Sequence, residues 1–369
     1  MRVIVTGGGT GGHIYPALAI AEGIRKAQPQ AEILYVGLKE GMEARLVPEA
    51  GWDFQGIAGR GLPRRLSLTL LKTVGSNLKA LWQTKKIMKD FHPDLVVGTG
   101  GFVSGPVLLV ASLFGVPALL HEQNVWPGMT NKLLARRVKR VMLAFADGRS
   151  HFPESCPVTV VGQPVRPSVG RVDREEALGF FGLEPGKKVL LVTGGSRGAR
   201  SINRAMVSIA EKLREREDVQ LIWATGTLDY EDSLAELRRL GIEPQRPGWH
   251  VAAYIEKMPH ALAVADLCVC RAGATTLAEL SAAGLPSILI PYPYAAENHQ
   301  EFNARAMVDG GAARMVLDKE MTGEGLWQEV ERLLGNAFAL KEMAARAGEA
   351  MRRDALESIV GICLETAWR

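Results

Sequence analysis

The chain has 369 residues, 47% apolar and 23% charged, which fits two globular domains with separate cores. No apolar run reaches the length of about 18 residues that a membrane-spanning helix requires. The net charge of +4 divides unevenly, +8 over residues 1–160 and −4 over the remainder; no nucleic-acid-binding motif accompanies the basic half, so nucleic acid is not an expected partner.

A strand pattern starts at once with Arg2-Val3-Ile4-Val5-Thr6, so no signal peptide is expected and a cytosolic chain is. Further apolar runs at 33–36, 95–97, 118–121, 141–144, 189–193, 221–225, 267–270 and 288–291 read as buried strands, with helix-like segments between them. That alternation predicts right-handed βαβ units and parallel sheets covered on both faces, an α/β protein. Residues 3–9 and 190–196 have the same form, a strand running into a glycine turn, so a doubly wound domain starts twice. The Pro-rich piece 162–167 reads as a linker, with the boundary near residue 163, and residues 338–366 read as terminal helices.

Between the first strands lies a basic stretch. Arg60, Arg64, Arg65, Lys72, Lys79, Lys85, Lys86 and Lys89 meet no acid within residues 60–89, and Leu78, Leu81 and Trp82 are among the apolar residues between them. Two readings are open: a surface that rests on anionic lipid, or a packed helix with a solvated basic face. The four cysteines, Cys156, Cys268, Cys270 and Cys363, form neither a disulfide framework nor a metal-ligand set, and Cys268 and Cys270 are expected in the core.

Three glycine turns follow apolar runs: Gly7 to Gly12, Gly98 to Gly101, and Gly194 to Gly198. Such turns let backbone N–H groups approach a phosphate at a helix N-terminus. Gly7, Gly9 and Gly12 satisfy G-x-G-x-x-G, yet the second strand ends Tyr35-Val36-Gly37-Leu38-Lys39 without the acid a dinucleotide ribose requires. His13 stands where a P-loop would have lysine. The positive end of a helix favours a neutral imidazole there, so His13 is a candidate general base; the other reading is a helix-start histidine bonded to a neighbouring loop. His121-Glu122-Gln123-Asn124 ends another strand, where polar residues face the ligand crevice of α/β proteins, and Asn124 is the candidate contact. After the 267–270 strand, Ala274, Thr275 and Thr276 open a helix suited to phosphate, and Glu279, one turn deeper, suits a sugar diol.

Taken in order, Gly-Gly-Thr-Gly-Gly-His at 8–13, Gly-Gly-Phe-Val-Ser-Gly-Pro at 100–106, His-Glu-Gln-Asn at 121–124, Gly-Gln-Pro-Val-Arg at 162–166, Gly-Gly-Ser-Arg-Gly-Ala-Arg at 194–200 and the stretch 271–286 resemble one family. It is the bacterial transferase family that adds N-acetylglucosamine to the lipid-linked muramyl-pentapeptide of peptidoglycan synthesis. The resemblance covers about residues 3–305. It implies a GT-B fold of two Rossmann-like domains facing across a cleft: 1–163 for the acceptor and the membrane, 164–346 for UDP-N-acetylglucosamine, and 347–369 as a helix crossing back. It implies an inverting, metal-independent transfer to the 4-hydroxyl of undecaprenyl-diphospho-muramoyl-pentapeptide, with no cofactor, at the cytoplasmic face of the membrane. In that reading His13 is the base, and Thr10, Gly11 and Gly12 border the donor sugar and the acceptor diphosphate. Asn124 contacts the donor sugar, Arg166 and Ser196 serve the donor diphosphate, and Ile255 offers its backbone to uracil. Ala274, Thr275 and Thr276 meet phosphate and ribose, Glu279 the ribose hydroxyls, and Gln300 the sugar hydroxyls. Phe102 stands where many members have tyrosine, and His299 where another amide is common. A GT-B transferase with another lipid or glycolipid acceptor is the alternative within enzymes. A non-catalytic nucleotide-sugar-binding or NAD-binding module is the alternative outside them.

Overall fold

The computed structural model describes residues 1–59, 68–166, 168–195, 197–352 and 354–368. In chain order the elements are β1 (Arg2–Thr6), α1 (Gly11–Ala27), β2 (Glu32–Leu38), α2 (Glu43–Glu49), β3 (Asp53–Ile57), α3 (Leu68–Phe91), β4 (Leu95–Gly98), α4 (Ser104–Leu113), β5 (Ala118–Glu122), α5 (Met129–Leu134), β6 (Arg140–Leu143) and β7 (Val158–Val160). They continue with α6 (Arg174–Phe181), β8 (Lys188–Thr193), α7 (Arg200–Glu215), β9 (Val219–Ala224), α8 (Tyr230–Arg239), β10 (Trp249–Ala252), α9 (Met258–Val264), β11 (Leu267–Cys270), α10 (Ala274–Ala283), β12 (Ser287–Leu289), α11 (His299–Asp309), β13 (Ala313–Met315), α12 (Gly323–Leu334), α13 (Ala337–Ala350) and α14 (Ala355–Ala367).

Two compact units result: Met1–Val165 with Arg352–Arg369, and Arg166–Met351. In the first unit a parallel sheet runs β3-β2-β1-β4-β5-β6-β7. Its interior strands β1 and β4 are buried on both faces, which is why they read as nearly unbroken apolar runs. Val3 and Val5 of β1 pack with Ile14, Ile20 and Ile24 of α1 and with Ile359 and Cys363 of α14. Ile4 points the other way, to Ile87 and Met88 of α3 and Val107 and Leu108 of α4. The last helix of the chain thus completes the core of the unit in which the chain began.

In the second unit a parallel sheet runs β10-β9-β8-β11-β12-β13. Ile202, Met206, Ile209 and Leu213 recur at helical spacing along α7 and bury against Leu190, Val192 and Trp223 of the sheet. The four cysteines are all buried and free.

Every strand expected from an apolar run is present, shifted at most by a few residues. Four strands were not expected: β3, β7, β10 and β13. They are the four edges of the two sheets. An edge strand has one neighbour and needs fewer apolar residues, so Asp-Phe-Gln-Gly-Ile or Ala-Arg-Met carries no continuous hydrophobic run.

Candidate active site

In a doubly wound sheet the ligand crevice lies beyond the carboxyl ends of the strands, where the strand order reverses. The reversal falls between β1 and β4 in the first unit and between β8 and β11 in the second. All three glycine turns and the start of α10 lie there. The cavity of about 560 Å³ lined by Arg25, Glu32, Asp53 and Asp90 lies at the amino ends of β2 and β3 instead, and holds none of the expected site residues.

In the first unit the two glycine loops are bonded to each other. The Gly8 N–H donates to the Gly100 carbonyl (3.3 Å), and the Thr99 N–H to the Thr6 carbonyl (2.8 Å). The Thr99 hydroxyl donates to the His13 carbonyl at 2.7 Å and the Ser104 hydroxyl to the Gly100 carbonyl at 2.7 Å. Beneath them sits Glu43, fully buried, which sequence reasoning missed. Its Oε1 accepts from the Leu38 N–H (3.0 Å) and its Oε2 from the Gly9 N–H (3.4 Å). The end of β2 does have an acid beside it, supplied by the first residue of α2. It faces backbone rather than a ribose, and it occupies one of the N–H groups expected to be free for phosphate.

α1 opens with Thr10, Gly11, Gly12 and His13, and no side chain caps it. His13 Nδ1 lies 2.9 Å from the Thr99 carbonyl oxygen and 3.0 Å from Gln123 Oε1. His121, Glu122 and Gln123 are buried rather than facing a crevice. Glu122 accepts from the Asn124 N–H (2.9 Å), Asn124 Nδ2 (3.2 Å), the Gly128 N–H (3.2 Å) and Asn131 Nδ2 (2.7 Å). Burial raises its carboxyl above the ordinary range, against those donors and the nearby His13. Asn124 is half-buried, with its amide turned to Glu122.

Burial pushes the His121 imidazole down from 6.5 to about 4, opposed in part by its bond to the Gly162 carbonyl. The folded protein keeps it neutral while the unfolded chain takes up a proton below about pH 6.5. The stability it contributes is whole above about pH 6.5 and falls away toward pH 4, by roughly 3 kcal/mol. Denaturant melts across that range are expected to show the loss, and His121→Gln to flatten it.

In the second unit α10 begins at Ala274 behind Gly273, with no side-chain cap, so its first N–H groups and helix dipole face the strand ends. Thr275 and Thr276 lie in that first turn. Glu279, one turn deeper, is mostly buried and takes Arg166 Nε on its Oε1 at 2.7 Å. Burial raises the Glu279 carboxyl, and the Arg166 charge and hydrogen bond oppose the rise. Among the described residues no hydrogen bond reaches Glu279 Oε2, and Arg166 is half exposed. Gln300, at the start of α11, accepts the Tyr292 N–H on its Oε1 (2.9 Å), which leaves its NH₂ group as donor. Ile255 is buried after β10, and among the described residues nothing bonds its backbone N–H or C=O. Ser196 lies outside the described residues.

Other residues that sequence reasoning missed support these loops. Asn203 donates to the Thr225 carbonyl (2.8 Å) and accepts from the Trp223 indole (3.1 Å). Arg271 donates to the carbonyls of Ile290 (3.1 Å) and Pro291 (3.2 Å) and pairs with Asp318. Their partners are far apart in sequence, so no local pattern marks them. Among the described residues no cluster of three or more His, Cys, Asp or Glu could hold a metal ion.

Residues 3–143 match the glycosyltransferase family 28 N-terminal domain and residues 189–359 match the glycosyltransferase family 28 C-terminal domain. A UDP-N-acetylglucosamine--N-acetylmuramyl-(pentapeptide) pyrophosphoryl-undecaprenol N-acetylglucosamine transferase of Desulfitobacterium hafniense is 58% identical over 369 residues, 100% of each chain. The protein of the same description from Moorella thermoacetica is 48% identical over 370 residues, covering 99% of each chain. The crystal structure of Acinetobacter baumannii MurG is 30% identical, with a TM-score of 0.78 over 99% of each chain.

Proposed function

The chain belongs to glycosyltransferase family 28, and on that premise we propose that it transfers N-acetylglucosamine from UDP-N-acetylglucosamine to the 4-hydroxyl of undecaprenyl-diphospho-muramoyl-pentapeptide, releasing UDP. It is a glycosyltransferase with the GT-B fold. The observation that carries the donor reading is the group around α10. An uncapped helix N-terminus, a half-exposed guanidinium and a buried carboxylate with one open oxygen suit, in order, a diphosphate, its negative charge and a ribose diol. Arg166, backbone N–H groups and the helix dipole stabilise the leaving diphosphate. Gln300 presents its NH₂ to the sugar, and the free backbone of Ile255 serves uracil. In the first unit His13 removes the proton of the attacking hydroxyl as it closes on the anomeric carbon, with inversion.

The test is UDP release with and without the lipid-linked acceptor, in EDTA. Release that needs the acceptor and survives EDTA supports the reading. Binding of UDP without acceptor-dependent release transfers the reading to another lipid or glycolipid acceptor.

The same proposal places the protein on the cytoplasmic face of a membrane. Among the described residues no helix is long and apolar enough to cross one. On α3, Leu78 is 62% and Trp82 68% exposed, beside Lys79, Lys85 and Lys86. α3 packs on α4, whose C-terminal end exposes Leu113 and Phe114. Exposed apolar side chains among lysines suit an anionic lipid surface. Arg60, Arg64 and Arg65 lie outside the described residues. Phosphatidylglycerol vesicles are expected to pellet the protein, with binding weakened by high salt and roughly tenfold by Trp82→Glu.

A further inference from the structure

The His-Glu-Gln-Asn segment contains two buried side chains that the reaction does not touch. Gln123 and His121 join His13 to a backbone carbonyl at Gly162, through a row of hydrogen bonds. His13 Nδ1 lies 3.0 Å from Gln123 Oε1. Gln123 Nε2 lies 3.1 Å from His121 Nδ1 and 3.1 Å from the His121 carbonyl oxygen. His121 Nε2 lies 2.9 Å from the Gly162 carbonyl oxygen.

Partners assign the hydrogens in this row, because three of its members can only accept. The Gly162 carbonyl accepts, so His121 Nε2 carries the hydrogen. His121 is neutral near pH 7, so its Nδ1 is a bare acceptor. The His121 carbonyl also accepts, so two acceptors face the same end of the Gln123 amide. That end is the NH₂ group, and the amide oxygen is turned to His13. His13 Nδ1 then meets two oxygens, Gln123 Oε1 and the Thr99 carbonyl at 2.9 Å. A bare Nδ1 lone pair against both would be repelled; an Nδ1–H shared between them satisfies both. A reversed amide would set its oxygen against the His121 carbonyl, so the arrangement is over-determined.

We infer that Gln123, oriented by His121 and the Gly162 carbonyl, is a positioning residue that holds His13 as its Nδ1–H tautomer and so leaves Nε2 as the lone-pair nitrogen that takes the acceptor proton. The inference rests on His13 as base and adds what makes one of its nitrogens basic. As Nε2 takes up a proton, the charge that spreads to Nδ1–H is met by two oxygens already in place, with no reorganisation. Both of these acceptors are neutral; the carboxylate whose charge reaches His13 is Glu122, buried and already taken up by Asn124, Gly128 and Asn131. Gly162 lies near the point where the chain leaves the first unit, and its positive φ of 88° is held against Arg352 and Ala355. The row therefore ends on backbone that packing fixes.

The direct measurement is a long-range ¹H–¹⁵N correlation spectrum of the full chain labelled with ¹⁵N-histidine, with His13 assigned by its loss in His13→Ala. The expected result is hydrogen on Nδ1 and a bare Nε2 in the neutral state. Gln123→Met keeps the side-chain length and removes both amide groups. It is expected to give a mixture of tautomers and a kcat lower by about tenfold to a hundredfold, with the KM for UDP-N-acetylglucosamine within about twofold. Gln123→Glu replaces the NH₂ donor by an oxygen that both His121 acceptors oppose, and is expected to disturb the His13 tautomer and displace the acidic limb of the kcat/KM profile as well. A role in packing alone predicts neither change. Hydrogen on Nε2 in the unsubstituted protein overturns the inference, and so does a Gln123→Met protein whose tautomer and pH profile are unchanged. The spectrum of the unsubstituted protein decides the tautomer even where a variant does not fold. If His13→Ala retains its kcat while the spectrum reports Nδ1–H, the base reading falls and the tautomer assignment stands.

Discussion

His13→Ala is expected to lower kcat by about a hundredfold to ten-thousandfold, the range in which a positioned general base contributes. The KM for UDP-N-acetylglucosamine is expected to change less than kcat, because Arg166, Ile255, Glu279 and Gln300, proposed to hold most of the donor, belong to the other unit, and only the sugar is expected to lie beside Thr10, Gly11, Gly12 and Asn124. The fold is expected to lose about 1–3 kcal/mol at most, from leaving the buried Gln123 amide oxygen without its His13 donor. His13 is only half-buried, and the bond that ties the two glycine loops at this point runs from the Thr99 hydroxyl to the His13 backbone carbonyl, which alanine retains. A thermal melt alongside steady-state kinetics separates the effects: an intact melt with a kcat loss under about tenfold removes His13 as the base.

Gly101→Ala is expected to be the most damaging single methyl group in the first unit. A Cβ at Gly101 would stand 2.2 Å from the Gly8 carbonyl oxygen and 3.1 Å from the Gly8 carbonyl carbon, at a φ of +78°. The atoms in the way are backbone, and that backbone is itself held. The Tyr35 hydroxyl donates to the Gly7 carbonyl at 2.7 Å, the Gly8 N–H is bonded to Gly100, and Glu43 holds the Gly9 N–H. Neither loop can retreat without opening the hydrogen bonds between them. A loss of roughly 3–5 kcal/mol is expected, and a fall in melting temperature of about 10 °C. Gly51 supplies the comparison, with a φ of +79° and nothing within 4 Å of its Cβ position. Gly51→Ala carries the backbone strain without the collision and is expected to lose only about 1 kcal/mol. Equal losses at the two positions would show that the loops do yield and that the close approach of Gly101 to Gly8 is not needed.

The two positions differ in how far the sequence marks them. Gly101 is one of a cluster of glycines after an apolar run, and the turn could be placed from that alone. That the turn lies against Gly8, some ninety residues earlier, follows only from β1 and β4 being neighbours in the sheet. The site residues divide likewise. His13, Asn124, Thr275 and Glu279 could be placed at strand ends or helix starts, because glycine turns and apolar runs are local signals. Glu43 could not be, since it lies outside any such signal and acts by folding back under the loop. Gln123 stood beside a flagged residue, but its role depends on His13, 110 residues away. Arg166 and Glu279 were each marked for a ligand, and their pairing at 2.7 Å across 113 residues was not foreseen.

By itself the sequence determined the two parallel sheets, their interior strands, the glycine turns and the helix starts behind them. Each is written in a short run: continuous apolar residues for a strand buried on both faces, and glycine where backbone must turn or come close. Tertiary structure decided the sheet edges, the packing of α14 against α1 and β1 where the resemblance implied only that a helix crosses back, and the partners of buried polar groups such as Glu43 and Gln123. The reason is the same in all three. An edge strand, a docked helix and a buried carboxylate or amide are stabilised by contacts between distant segments, and each takes its conformation or its proton only from the partner the fold brings to it.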